Sequence, residues 1–225
     1  IIEHFPRLLT GAWTTIQLVL VSGIIGSLMA VPVGLARHSD KLWISALPYC
    51  YIFFFRGTPL LVQIFLVYYG VSQFESIREG VLWPYLREPY WCAITAFCLN
   101  TSAYTAEILR GALGNIPRGE VEAAKVLGMG KGLMYRRILL PRAFGMIVPA
   151  YGNEIILMLK GSALASTITL LDLTGMARTI IARTYTPIEI FLSAGVIYLA
   201  MSMLVIWVFR GIERRHNEYL KPLDS

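Results

Sequence analysis

A few polar side chains stand where the sequence around them is apolar. Arg56 follows three phenylalanines, and Glu154 lies in Tyr151-Gly152-Asn153-Glu154-Ile155-Ile156. Asn100, Tyr104 and Glu107 recur at i, i+4 and i+7, which is one face of a helix. Ions in apolar surroundings persist only by pairing or by facing water or a polar ligand. The chemistry these residues could do is therefore non-covalent: holding a polar or charged solute inside an apolar scaffold. Bond-making chemistry finds little footing. The stretch Gly128-Met129-Gly130-Lys131-Gly132 lacks the hydroxyl residue and leading strand of a phosphate-binding loop. No Gly-x-Ser-x-Gly elbow exists, and His4, His38 and His216 stand apart from one another. Cys50, Cys92 and Cys98 fall in apolar stretches without metal-ligand spacing and read as small buried thiols.

Each polar residue admits two readings. Arg56 either lines a solute route or snorkels to a helix end. The Asn100–Tyr104–Glu107 face looks either at a cavity or at hydrogen-bonding neighbours, with Glu107 near a helix end where it meets water or Arg110. Glu154 shares a face with Tyr151 and Met158, and its cation is either Arg56, as a structural pair, or a cationic substrate. Lys160 can snorkel and is the weaker candidate.

The elements that must position them are membrane helices. Of 225 residues, 56% are hydrophobic and 15% charged, against about 25% charged in a soluble domain. Charge-free runs cover 8–36, 42–55, 57–74, 89–106 and 190–209; 143–159 is interrupted only by Glu154. A span needs about 20 apolar residues. Joining 42–74 across Arg56 predicts five transmembrane helices, the second weakened at Gly57 and Pro59. The first run is too long for a cleaved signal peptide and reads as a retained helix. Ser22, Gly26, Ala30 and Gly34 form a small-residue stripe along it, suited to close helix approach. The stretch 161–177, with Asp172 and several hydroxyls, reads as an external or re-entrant segment; a sixth span is the alternative.

The net charge is +6, and its placement sets the topology. Thirteen of the twenty basic residues fall on one side: Arg37, Lys41, seven between the third and fourth helices, and the tail Arg210, Arg214, Arg215 and Lys221. That side is the cytoplasm. The N-terminus is then outside and the C-terminus inside.

The stretch 119–141 joins the third and fourth spans. Residues 121–127 favour a helix that Gly128 can stop. Residues 131–138 begin a second short basic helix, and Pro141 enters the membrane. Val121, Ala124 and Leu127 give this knob an apolar surface suited to a groove on a soluble partner.

Here a resemblance becomes specific. Glu122-Ala123-Ala124, Gly128, and Ile138 with Leu140-Pro141 resemble the EAA loop of ABC importer permeases. Phe55-Arg56-Gly57-Thr58-Pro59-Leu60-Leu61-Val62-Gln63, 100–107 and 153–157 resemble the polar amino acid permeases, in the histidine/arginine/ornithine and opine branch. The resemblance implies an all-α integral membrane protein with the five-helix, MetI-like type I importer fold. It implies a single transmembrane domain over 1–225, with a cytoplasmic coupling loop at 110–137. It further implies a bacterial inner-membrane location, a homo- or heterodimer, and a periplasmic substrate-binding protein. A separate cytoplasmic ATPase would bind the ATP, with no cofactor in this chain. Glu122, Ala123, Ala124 and Gly128 would meet that ATPase. Glu154, Asn100, Tyr104 and Arg56 are the substrate-binding candidates, for a basic amino acid such as arginine or an opine. The alternative is a carrier or channel driven by an ion gradient, with Glu154 and Glu107 as proton relays; the long loop would then lack a role. The chain opens on Ile1 rather than Met, which implies a few preceding residues.

Overall fold

The structure, a computed structural model, describes residues 4–217. Lys221, counted above with the basic tail, lies outside the described residues. α1 (Phe5–Arg37) and α11 (Pro187–Asn217) are the two long helices whose apolar character alone suffices to cross a membrane. Leu20, Ile24, Leu28, Leu192, Val196, Leu199 and Trp207 project from them, more exposed than buried. Such rows are intolerable in water and ordinary in lipid.

α6 (Pro89–Gly114) runs between the others and packs along α1 over most of its length. Its 26 residues reach about 39 Å, enough to span. Its polar side chains lower its apparent hydropathy because they face protein. The small-residue stripe of α1 is what lets the two approach. A Cβ added at Gly26 would sit 3.2 Å from the Cys98 carbonyl, and one at Gly34 only 2.9 Å from the Ala106 carbonyl and the Leu109 side chain. We expect Gly34→Leu to push α1 off α6 and cost about 1–3 kcal/mol, read as a lowered thermal midpoint in detergent. Gly111→Ala, which meets nothing within 4 Å, should be neutral or slightly stabilising.

The 42–74 segment breaks where Gly57 and Pro59 predict. α2 (Leu42–Gly57) and α3 (Leu60–Phe65), with its continuation to Gln73, meet at 106°. Thr58 is extended, as the residue before proline must be. α4 (Glu75–Arg78) and α5 (Trp83–Leu86) are single turns leading into α6.

Beyond α6, α7 (Arg118–Val126) and α8 (Lys131–Met134) form the connection, followed by a π-turn at Tyr135–Leu139 and α9 (Leu140–Gly161). The second short helix expected at 131–138 therefore does not stop before Pro141 but runs into α9. Pro141 has no N–H to return to the preceding turn, and a widened turn is how a helix absorbs that loss. The loop placed at 110–137 begins later than expected, because α6 continues to Gly114.

Residues 161–177 are not one straight helix. A 3₁₀ stretch, Ser162–Ile168, ends at Thr169 in the left-handed region (φ 65°), and α10 (Leu173–Thr184) departs from the α9 unit at 49°. Asp172, fully buried, caps α10: it accepts from the Gly175 and Thr174 amides at 3.0 and 3.2 Å and from Tyr198 Oη at 3.2 Å. Its neighbour Leu173 donates its amide to Thr15 Oγ1 of α1 at 3.1 Å. A carboxylate that would be costly on a lone span is thus satisfied by two backbone amides and by Tyr198 of α11.

Candidate functional site

The bend between α2 and α3 opens a cavity of about 250 Å³ against α6 and α9. Thr58 and Pro59 from the bend, Phe97, Asn100 and Tyr104 from α6, and Glu154 and Met158 from α9 border it. Three of the four substrate-binding candidates, Glu154, Asn100 and Tyr104, therefore share one wall-to-wall space. Arg56 borders a neighbouring cavity of about 350 Å³, together with Arg37, Tyr49, Gly57 and Glu107. Tyr104 belongs to both linings.

Glu154 is 7% exposed, and among the described residues no hydrogen bond or ion pair joins its carboxylate to another side chain. The structural pair with Arg56, one of the two alternatives raised by the sequence, is not formed. Arg56 instead ends α2 with its guanidinium 5.2 Å over the Tyr104 ring and Nη1 4.0 Å from Glu107 Oε1. Glu107 is itself gripped by Arg110 through contacts of 2.6 and 3.0 Å, an i,i+3 pair on α6. A carboxylate buried without a hydrogen bond or ion pair has unused acceptors for water or a positively charged ligand.

The bend that borders this cavity is held by a residue not among the predicted site residues. Gln63, 2% exposed, directs Nε2 at the Phe55 carbonyl and Thr58 Oγ1, both at 2.8 Å, and at the Thr58 carbonyl at 3.1 Å. Its Oε1 accepts from Asn100 Nδ2 at 2.9 Å. One side chain thus closes the open carbonyls of the bend and ties the bend to α6. The amide nitrogen of Asn100 is committed to this clamp, which leaves its oxygen as the atom that can serve the cavity. The sequence signals for Gln63 were a lone amide in an apolar run after Pro59 and its place at the end of the Phe55–Gln63 motif.

Above Glu154 on the same face, Tyr151 Oη donates to the Gly23 carbonyl at 3.0 Å and accepts from Ser27 Oγ at 2.6 Å. One turn beyond, Met158 receives the Thr101 hydroxyl at 3.1 Å. These contacts anchor α9 to α1 and α6 on both sides of Glu154. Its rotation is fixed by groups other than itself.

A second surface forms at the α6–α9 connection. Glu122, Ala123 and Gly128 are exposed, as are Val126 and Leu127. Ala124 is not: it is buried among Leu109, Ala112, Leu113, Met134 and Leu139, with Val121 packed at the edge. The apolar outward face expected at Val121, Ala124 and Leu127 is corrected accordingly to Val126 and Leu127. The inward stripe seats α7 on the bundle. Glu120 fastens it further, taking Arg142 Nη2 of α9 at 2.7 Å. Gly128 holds φ at +72°, the left-handed residue that ends α7.

The comparisons with known proteins agree with this architecture. Residues 11–218 match the family described as binding-protein-dependent transport system inner membrane component. The chain is 47% identical over 211 residues to the octopine transport system permease protein OccM of Rhizobium meliloti, covering 94% of this chain and 86% of that protein. It is 48% identical over 206 residues to the nopaline transport system permease protein NocM of Agrobacterium fabrum, covering 91% and 86%. The histidine/lysine/arginine/ornithine transport system permease protein HisM of Escherichia coli is 40% identical over 217 residues, covering 96% and 91%. Among solved structures, an amino acid ABC transporter crystallised with histidines superposes with a TM-score of 0.85 at 34% identity, covering 95% of this chain and 96% of that one. The inward-facing MetNI methionine ABC transporter gives 0.78 at 20% identity, covering 95% and 98%, a likeness of fold.

Proposed function

The chain belongs to the family of binding-protein-dependent transport system inner membrane components, and on that premise we propose that it carries a cationic amino acid or opine through the Glu154 cavity. It is the membrane-embedded permease subunit of an ABC importer, a transport protein of the inner membrane and not an enzyme. Such permeases work in general with an ATPase and a substrate-binding protein.

The observation that carries the substrate reading is Glu154: a buried carboxylate that borders a cavity and, among the described residues, makes no hydrogen bond or ion pair, the Arg56 charge acting on it only from a distance. An ammonium or guanidinium group would complete it, and the ring of Tyr104 offers that cation a second favourable surface. The Asn100 carbonyl oxygen and Thr58 add neutral polar contacts, while Phe97 and Met158 pack the solute's apolar stem. Arg56, on the other side of Tyr104, repels the cationic end and so orients the solute.

In the working complex, two permease subunits stand side by side, a copy or a paralogue completing the pair. The positive-side distribution places the N-terminus outside and the α7 surface inside the cell. Glu122, Ala123, Gly128 and the exposed Val126 and Leu127 dock in a cleft of the ATPase, with Ala124 supporting them from within. Closure of the paired ATPases draws the two loops together and opens the bundle outward, a rigid-body exchange between two packed states.

The test is reconstitution. The purified chain alone should hydrolyse no ATP. With the ATPase subunit and binding protein added in liposomes, hydrolysis should appear and rise on adding arginine or octopine. Solute accumulation without any ATPase would end this reading in favour of a gradient-driven carrier.

A further inference from the structure

We propose that the neighbouring cavity at the end of α2 is a carboxylate subsite, formed by Arg37 and Arg56, for cationic amino acids that carry a second carboxylate. The inference rests on the cationic-substrate reading of Glu154.

The cavity, about 350 Å³, is bordered by three charged residues: Arg37, Arg56 and Glu107. The single acid is already engaged. Both oxygens of Glu107 receive Arg110 at 3.0 Å or closer, whereas Arg56 reaches it only at 4.0 Å. Arg37 has less: its Nε is buried, and among the described residues nothing accepts its proton. A buried guanidinium N–H without an acceptor is an unfavourable arrangement that a visiting anion relieves.

Both guanidinium groups are held by aromatic faces. Arg37 lies 4.9 Å over the ring of Tyr49, and Arg56 lies 5.2 Å over that of Tyr104. Stacking restrains each group while leaving its N–H edges available. The planar, two-oxygen carboxylate is what such edges recognise best. Two positive groups, an acid already paired with Arg110 and an unpartnered guanidinium N–H together suit an anion.

Tyr104 borders this cavity and the Glu154 cavity alike. One solute can therefore address both, its cation toward Glu154 and a carboxylate toward the arginines. Octopine has this chemistry: it is arginine whose α-nitrogen carries a carboxyethyl group, so it adds a second carboxylate to the guanidinium. Arginine lacks the second anion and should depend less on Arg37. A phospholipid headgroup offers the same anionic oxygens, and the experiment must separate the two sources.

The complete importer is reconstituted in phosphatidylcholine vesicles with a varied fraction of phosphatidylglycerol. Initial uptake of labelled octopine and labelled arginine is then compared. Arg37→Gln should lower the octopine-to-arginine uptake ratio about tenfold, and Arg37→Lys, which keeps the charge and loses the fork, by less. Immunoblotting confirms equal insertion. An unchanged ratio overturns the proposal, as does a wild-type importer that accepts arginine and refuses octopine. Equal loss of both uptakes overturns it too, and reversal of that loss by added phosphatidylglycerol assigns the seat to a lipid phosphate. Glu154→Gln separates this failure from that of the underlying reading. If it spares both uptakes, the cationic-substrate reading falls; if it lowers both while Arg37→Gln leaves the ratio intact, only the second subsite falls.

Discussion

Replacing Glu154 with Gln should lower uptake of arginine-like solutes by roughly 30- to 1000-fold while leaving the protein inserted, paired and attached to its ATPase. The size follows from the loss of one desolvated ion pair, about 2–4 kcal/mol, at about 1.4 kcal/mol per decade. The selectivity of the effect follows from the structure. Glu154 holds no other side chain in place among the described residues, so its neutral isostere removes no internal ion pair. Tyr151 and Met158, which anchor the helix on either side, keep their partners on α1 and α6. The measurement is paired: labelled arginine uptake in reconstituted vesicles, and ATP hydrolysis stimulated by the loaded binding protein. Uptake should collapse while assembly with the ATPase survives in pull-down. If uptake and assembly decline together, Glu154 is part of the scaffold and the cavity loses its assigned cation.

The second large effect lies at the other end of α9. Glu122→Lys should abolish or strongly reduce binding-protein-stimulated ATP hydrolysis, by at least about tenfold, without altering membrane insertion. Glu122 is exposed on α7, so reversing its charge disturbs nothing internal. A like-charge clash across a docked surface costs upward of about 2 kcal/mol. Gly128→Val should act through the backbone. A Cβ there meets no neighbour within 4 Å, but the residue sits at φ +72°, where a β-branched side chain is strained by about 1–3 kcal/mol. The turn that ends α7 would relax, and the exposed Val126 and Leu127 would lose their aim. Co-purification of the ATPase with the variant permease reads both effects. Retention of full stimulated hydrolysis in Glu122→Lys would remove the α7 surface from the coupling path.

Which parts of this were legible beforehand depends on how local the cause is. The charge-free runs marked α1 and the apolar middle of α11, since length and apolarity are local properties; α11 goes on past the run at 209, through the basic stretch to Asn217. The α2–α3 break was readable from Gly57 and Pro59, which act on their own backbone; its 106° angle was not, because it depends on what Gln63 and Asn100 hold across the corner. The α6 face carrying Asn100 and Tyr104 was visible as periodicity, yet periodicity cannot say whether a polar atom meets a ligand or a neighbour. The nitrogen of Asn100 is bonded to Gln63, and the residue also borders the cavity. The partner of Arg56 was misjudged for the same reason: the sequence offered Glu154 as its structural pair, whereas the bundle brings it within 4.0 Å of Glu107. Ala124 shows the limit from the other side. An apolar stripe on α7 was evident, but two objects compete to cover it, and the bundle rather than a partner takes the Val121–Ala124 side.

The seat of α7 has a mechanical corollary. Ala124 is locked into the lower core, and Glu120 is bonded to Arg142 on α9. From Arg142 to Glu154 the chain runs as α-helix over about 18 Å, with Pro149 inside it removing one backbone hydrogen bond. A soft joint would dissipate a small push at the rim as bending before it travelled far. With the joint fastened on both flanks, a displacement of α7 would pass into the first turns of α9, and Pro149 is where that helix can yield before Glu154.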